Sequence, residues 1–214
     1  MTARFAATAT ILVAAGVASA AVYDYAADFS LTGGNPNGAW SYGAKHKDAD
    51  GKPTGEFQPF DTAVDEGWIL HWYMTDNAGG TFGGETWKNM TGGWQFNVAP
   101  GHCSLNGDAY STSTARWTAP NSGMIDLSVS FGLSASARMI MHNGDILQEL
   151  PAGGPNAFEA LGMWVAAGDT IDVTCYGAGA YGNTMTDIVI IPAPASMVLA
   201  SAVLGAASGR RRRT

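Results

Sequence analysis

The residue types in this 214-residue chain best suited to recognition are its seven tryptophans, Trp40, Trp68, Trp72, Trp87, Trp94, Trp117 and Trp164. A pyranose ring carries a flat face of C–H groups that packs on an indole, while its hydroxyls bond nearby Asp, Asn and Gln side chains. Trp40 and Trp87 lie among Asn, Gly, Thr and Tyr in stretches that read as loops. They are the candidate sugar contacts, with Tyr42 and Tyr73 as companions. Trp94 alternates with Phe96 and Val98, and Trp117 ends a strand before Pro120, so both read as core positions.

Carboxylates beside those rings suggest a second chemistry. Asp65 and Glu66 precede Trp68, and Glu85 precedes Trp87, the composition of glycosidase carboxylates next to a stacking ring. Any acidic β protein has such neighbours, and the other catalytic templates do not fit. His46, His71, His102 and His142 are scattered without metal-ligand spacing, no Gly-x-Ser-x-Gly step occurs, and neither cysteine has an evident activating base. Asp48, Asp50 and Glu56 around Gly51 are a weak calcium candidate. Lys52 follows the glycine and Glu56 comes too early for a twelve-residue cation loop, so a solvated acidic loop is the better reading and no cofactor is expected.

These residues need a scaffold, and the patterning gives an all-β one. No helical period persists between the chain ends, whereas alternation recurs between turn signals every ten or so residues. In Met124 to Leu133, Ile125, Leu127, Val129, Phe131 and Leu133 alternate with Asp126, Ser128 and Ser130. Arg138 to Met141 and Ile146 to Leu150 flank His142-Asn143-Gly144-Asp145, where Asn-Gly suits a type I′ hairpin. Thr170 to Tyr176, Asp187 to Ile191, Trp68 to Met74 and Trp94 to Val98 also read as strands. Ala44 to Gly55 and Asn77 to Gly84 read as long loops.

The ends of the chain have a different grammar. Met1 to Arg4, the apolar Phe5 to Val17 and Ala18-Ser19-Ala20 are the n-region, h-region and cleavage site of a secretory signal, so the mature chain is expected to begin near Ala21. At the other end stand Pro192-Ala193-Pro194, an apolar run from Ala195 to Ser208, and Arg210, Arg211, Arg212 and Arg213. Arginines resist crossing a bilayer and hold such a tail on the cytoplasmic side.

Removing residues 1–20 and 192–214 leaves six basic against eighteen acidic residues, a net charge of −12. That balance argues against nucleic acid and anionic lipid as partners. Cys103 and Cys175 would share a compartment in which disulfides persist. Both a bridge and two separate buried thiols are compatible with the sequence.

The tail, on Pro192, Pro194, the apolar run and Arg210 to Arg213, resembles the PEP-CTERM sorting signal of exported bacterial envelope proteins, with Ala193 in place of the central Glu. The resemblance implies recognition by an exosortase-type enzyme, a membrane stage through the C-terminal segment, and display at the cell surface or in the extracellular matrix. In that setting the sequon Asn89-Met90-Thr91 reads as chance. Ala27-Asp28-Phe29-Ser30, Asn35-Pro36-Asn37-Gly38, Trp40-Ser41-Tyr42-Gly43, Arg116-Trp117-Thr118-Ala119-Pro120, His142-Asn143-Gly144 and Val165 to Ile171 resemble a recurrent domain of such proteins, of the carbohydrate-binding jelly-roll kind. The expectation is therefore an all-β, jelly-roll-like β-sandwich over residues 21–191, between an N-terminal signal peptide and a C-terminal hydrophobic sorting or anchor helix. Its expected role is non-catalytic association with extracellular polysaccharide. The alternatives are a secreted polysaccharide hydrolase using Asp65, Glu66 or Glu85, and a structural surface-layer component that binds no glycan.

Overall fold

In the first half of the described chain, β1 (Tyr23–Asp24) and a single-turn helix α1 (Tyr25–Asp28) lead into β2 (Trp40–Lys47), β3 (Pro53–Pro59), β4 (Thr62–Asp65), β5 (Ile69–Tyr73), β6 (Glu85–Asn89) and β7 (Cys103–Asn106). The second half adds β8 (Ser113–Thr118), β9 (Gly123–Phe131), β10 (Ala137–His142), β11 (Asp145–Leu150), β12 (Asn156–Val165), β13 (Thr170–Tyr176) and β14 (Asn183–Pro192). This computed structural model describes residues 21–48, 50–75, 84–107, 112–177 and 182–193. Ala18 and Ala20 of the signal segment, Pro194 and Arg210 to Arg213 of the tail motif, and all of the Asn77–Gly84 loop except Gly84 lie outside them. Among the described residues no helix is long and apolar enough to cross a membrane.

The strands form two antiparallel sheets. The larger has the order β12-β9-β14-β7-β6-β5-β4, with β1 added beside β14 through Tyr23↔Ile190 and Asp24↔Val189. The smaller has the order β11-β10-β13-β8-β2-β3. Period-2 alternation aims one side of each sheet at the other. Leu105, Ile125, Leu127, Val129, Ile188 and Ile190 of the larger sheet share a single core with Trp40, Tyr42, Ala115, Trp117, Ile140, Ile171 and Val173 of the smaller. The architecture is a β-sandwich.

Two expected elements are corrected. Ala44 to Gly55 is mostly the hairpin of β2 and β3, its polar sequence reflecting strands whose outer side meets water. Asp48 braces the turn, its Oδ1 accepting from the backbone N–H of Asp50 and of Lys52, each at 2.9 Å, with Gly51 at φ 79°. Trp94 to Val98 is not a strand. Gln95 and Val98 pair across a tight turn whose tip residues, Phe96 and Asn97, have φ of 45° and 68°. By contrast the Asn143-Gly144 hairpin is as expected, with φ of 51° and 88°.

The two edges of the smaller sheet are tied together across its outer side. Lys52, at the tip of the β2–β3 hairpin on one edge, places Nζ 2.8 Å from Oε1 of Glu149 on β11, the opposite edge strand. The contact shows that the β2–β3 hairpin, irregular in register between Lys45 and His46, reaches over the outer side of the sheet to its far edge. Tyr176 also donates to Glu149 Oε1 at 2.6 Å, and the paired Lys52 and Tyr176 hold the Glu149 carboxyl below its usual range.

Candidate functional site

The tryptophans expected to meet ligand are core residues. Trp40 and Tyr42 are 2% and 0% exposed, on the inward side of β2 opposite Trp117 and Ala115. The indole of Trp40 donates to Asp28 Oδ2 at 3.0 Å. Tyr42 stacks on Trp72 at 6.1 Å, and burial pushes its hydroxyl pKa up. Trp87 is 2% exposed because the 90–101 loop folds over it, with Val98 packed on Trp87 and Ile69. Its N–H donates to Asn183 Oδ1 at 2.9 Å. Asn89 of the sequon is likewise buried, its amide donating to Gly93 O at 2.8 Å and Val98 O at 2.9 Å, which ties the loop down.

The exposed rings are others. Trp68 is 36% exposed, Trp94 66% and Phe96 60%. Trp68 closes the β4–β5 turn, where Gly67 has φ of 80°, and its carbonyl accepts from Met90 N–H at 2.9 Å, joining that turn to the 90–101 loop. Phe96 stands 6.1 Å from Trp68 and meets Trp87 edge-on, also at 6.1 Å. A bulky residue at positive φ costs on the order of 1–3 kcal/mol and persists only where neighbours impose it. Here the Gln95–Val98 bridge and buried Val98 impose it, and the result is a ring held outward. Sequence alternation concealed this because the left-handed Phe96-Asn97 step reverses the chain. Asn97 two residues after Gly93-Trp94-Gln95 was the available turn signal.

Beside this platform the carboxylates converge in part. Asp65 is spent on its own turn, Oδ1 accepting from Gly67 N–H at 2.7 Å. Glu66 and Glu85 flank His71, with Glu66 Oε1 3.5 Å from Nε2 and Glu85 Oε2 3.6 Å from Nδ1. Neither is a good hydrogen bond, and both ring nitrogens are buried without a partner. Asn106 holds Glu85 Oε1 at 3.0 Å. Tyr73 packs on His71 with ring centroids 5.2 Å apart.

The remaining sequence candidates separate. Cys103 lies on β7 and Cys175 on β13, in different sheets, and both are free, buried thiols in this structure. Burial raises both pKa values, that of Cys175 to about 12, so neither is a ready nucleophile. In the calcium candidate, Asp48 braces the hairpin turn while Glu56 borders Phe57 and Arg116 in a separate cleft, so the three carboxylates do not form a cation loop. Among the described residues no group of three or more His, Cys, Asp or Glu is arranged to hold a metal ion. His46, His102 and His142 pair separately, with Gln58, Asp187 and Asp169.

No protein-family model and no curated protein sequence matches the chain. Among solved structures it is similar to a family 35 carbohydrate binding module from Clostridium thermocellum, 17% identical over 62% of this chain and 98% of that one, with a TM-score of 0.31. It is also similar to the catalytic unit of a GH87 alpha-1,3-glucanase from Streptomyces thermodiastaticus, 19% identical over 49% of this chain and 22% of that one, with a TM-score of 0.31. A third similarity is to tailspike protein 4 of bacteriophage CBA120, 8% identical over 71% of this chain and 19% of that one, with a TM-score of 0.32. Overlaps this small assign neither ligand nor activity to the chain.

Proposed function

We propose that the chain is an exported protein of the cell surface or extracellular matrix whose jelly-roll-like sandwich associates with polysaccharide without catalysing its cleavage. The signal segment ending at Ala20 carries it out. The Pro192-Ala193-Pro194 tail with Arg210 to Arg213 directs it to an exosortase-type sorting enzyme, with the C-terminal segment as its membrane stage. The observation that carries the binding reading is the pair Trp68 and Phe96, two exposed rings on the outer side of the larger sheet, fixed by a docked loop, with the half-exposed Glu66 carboxylate in the same turn as Trp68. Fixed rings offer a sugar face with little side-chain entropy left to lose. The hydrolase alternative has Glu66 and Glu85 in one place, but His71 stands between them, where a glycosidic oxygen and its attacking group would have to lie.

The test is a glycan-array screen of the purified chain, with calcium and with chelator, followed by assay of products for reducing ends. The expected result is saturable, chelator-insensitive binding that falls about tenfold or more in Trp68→Ala and in Phe96→Ala, each removing a stacking ring. No new reducing ends should appear. Reducing ends that vanish in Glu85→Gln would establish the hydrolase. Absence of binding to any glycan would leave a structural surface-layer role.

A further inference from the structure

The outer side of the larger sheet changes character along β12, β9 and β14. Toward one end its outward positions are polar, with Glu159 opposite Ser128 and Asp187 opposite Ser130. Toward the other end they are apolar. Trp164 stands opposite Met124, Ile191 lies one rung away opposite Asp126, and Val22 directly precedes β1 beside β14. Between Ala160 and Met163 a bulge sets two residues, Leu161 and Gly162, against Asp126. Gly162 takes φ of 63° and donates its N–H to Asp126 Oδ1 at 2.8 Å, which fixes the bulge that presents Leu161. Leu161 is 76% exposed, Trp164 and Val22 55% each, and Ile191 44%. Single exposed apolar residues are ordinary, but a cluster on adjoining strands marks an interaction surface.

Two observations identify its occupant. The first is where the chain leaves the sheet. Ala193 donates its N–H to Met124 O at 2.8 Å, so the backbone departs beside the patch, and the sequence continues into the apolar run 195–208 and Arg210 to Arg213. With that run as the membrane stage, the outward residues around Ala193 are held at high effective concentration near a bilayer. The second is charge. None of β1, β9, β12 and β14 contains Lys or Arg, while Asp126 lies within the patch and Asp24 and Glu159 border it. Such a surface has no attraction for anionic headgroups and suits a zwitterionic one, whose ammonium can face Asp126. A stable protein interface takes about 20–30 residues a side, far more than this patch offers to a second copy.

We propose that this patch rests in the headgroup boundary of a zwitterionic bilayer, with Trp164, Leu161, Ile191 and Val22 as its contacts. The proposal rests on the membrane stage assigned to the C-terminal segment. Indole suits that depth, apolar in its body with an N–H for the headgroups. Contact at ~5–10 Å into the boundary leaves Asp126 hydrated.

The test uses the full chain reconstituted with phosphatidylcholine vesicles and carrying one fluorescent label, on Leu161→Cys or, toward the polar end of the same face, on Ser130→Cys. Both positions are exposed and both native thiols are buried, so labelling is selective. Lipid brominated near the headgroup is expected to quench the label at 161 about threefold more than the label at 130, and Trp164→Ala should reduce that excess about twofold or more. Flotation with the vesicles but equal quenching at the two positions would overturn the proposal and leave the membrane stage standing. A chain that did not float with the vesicles would overturn both. Quenching that rose with added phosphatidylglycerol would overturn the zwitterionic assignment. A label at 161 already shielded from iodide before vesicles are added would also overturn the proposal, by showing that the patch is covered by a second copy if dilution exposes it and by the chain's own tail if dilution does not.

Discussion

The outer face of the larger sheet is organised by apolar packing, with Val98 seated on Ile69 and Trp87 under the 90–101 loop. The outer face of the smaller sheet adds charge to packing: Lys45, Asp172 and Arg116 lie in its floor, Lys52 reaches Glu149 across it, and Met139, Met141 and Tyr176 form a small buried apolar cluster on the same side. Apolar contact is non-directional, so the docked loop is free to turn Phe96 and Trp94 outward once Val98 is buried. Charge pairing through a guanidinium fork is directional, and it fixes side chains on three strands relative to one another. One face therefore exposes rings and the other exposes donors and acceptors, although the strands beneath follow the same two-residue period.

Breaking the charged face should have the larger effect on stability. Asp172→Ala leaves the buried Lys45 and the partly buried Arg116 without their carboxylate and should cost about 3 kcal/mol by denaturant unfolding. An unchanged midpoint would mean that water already screens the pair. On the packed face, Val98→Ala removes two methyl groups from a fully buried position and should cost about 2 kcal/mol. Proteolysis within residues 90–101 should rise with it. If cleavage stayed at its original rate, the hydrogen bonds of Asn89, and not Val98, would hold the loop.

Acid should act more gently, and on both faces. Hydrogen bonds from the Thr75 backbone and hydroxyl and from Thr62 hold the Asp61 carboxyl below its usual range, at the end of the β4–β5 hairpin. The Ala166 N–H, with Asn143 and His142, does the same for Asp169 beside the smaller sheet. A depressed carboxyl stabilises the fold above its unfolded pKa of ~4, and the gain is lost as pH falls through the lower folded value. Stability should therefore be flat above that range and decline below it. Asp61→Asn and Asp169→Asn should each lower the plateau and shallow the decline. A decline as steep in the double variant as in the parent would assign the acid sensitivity to other carboxylates.

The contrast also explains which features were legible in the sequence. In β9, Ile125, Leu127, Val129 and Phe131 are all buried, as their alternation indicates, because a strand with one wet side leaves its period in the sequence. The β10–β11 hairpin was legible because Asn143-Gly144 needs positive φ at both residues. Trp40 and Trp87 misled because polar neighbours describe the chain around a ring, whereas burial depends on what folds over it. Trp94 misled in the opposite sense, since Trp94, Phe96 and Val98 imitate a strand that the Phe96-Asn97 turn prevents. Cys103 and Cys175 each occupy an inward position, but inward positions of opposing sheets are set by packing at long range. The Lys45, Asp172 and Arg116 network draws on residues far apart in the chain, and no local pattern announces it.

The short pairing of β1 with β14 has a mechanical consequence. Tyr23 lies opposite Ile190 and Asp24 opposite Val189, antiparallel, so the sandwich takes in its chain at Ala21 and releases it at Ala193 from the same corner. A pull between those points would load the hydrogen bonds of the pair one after another, as in a zipper, and not all together in shear. Two rungs would yield first while the core sheets stayed closed, which gives the domain a compliant attachment instead of a rigid one.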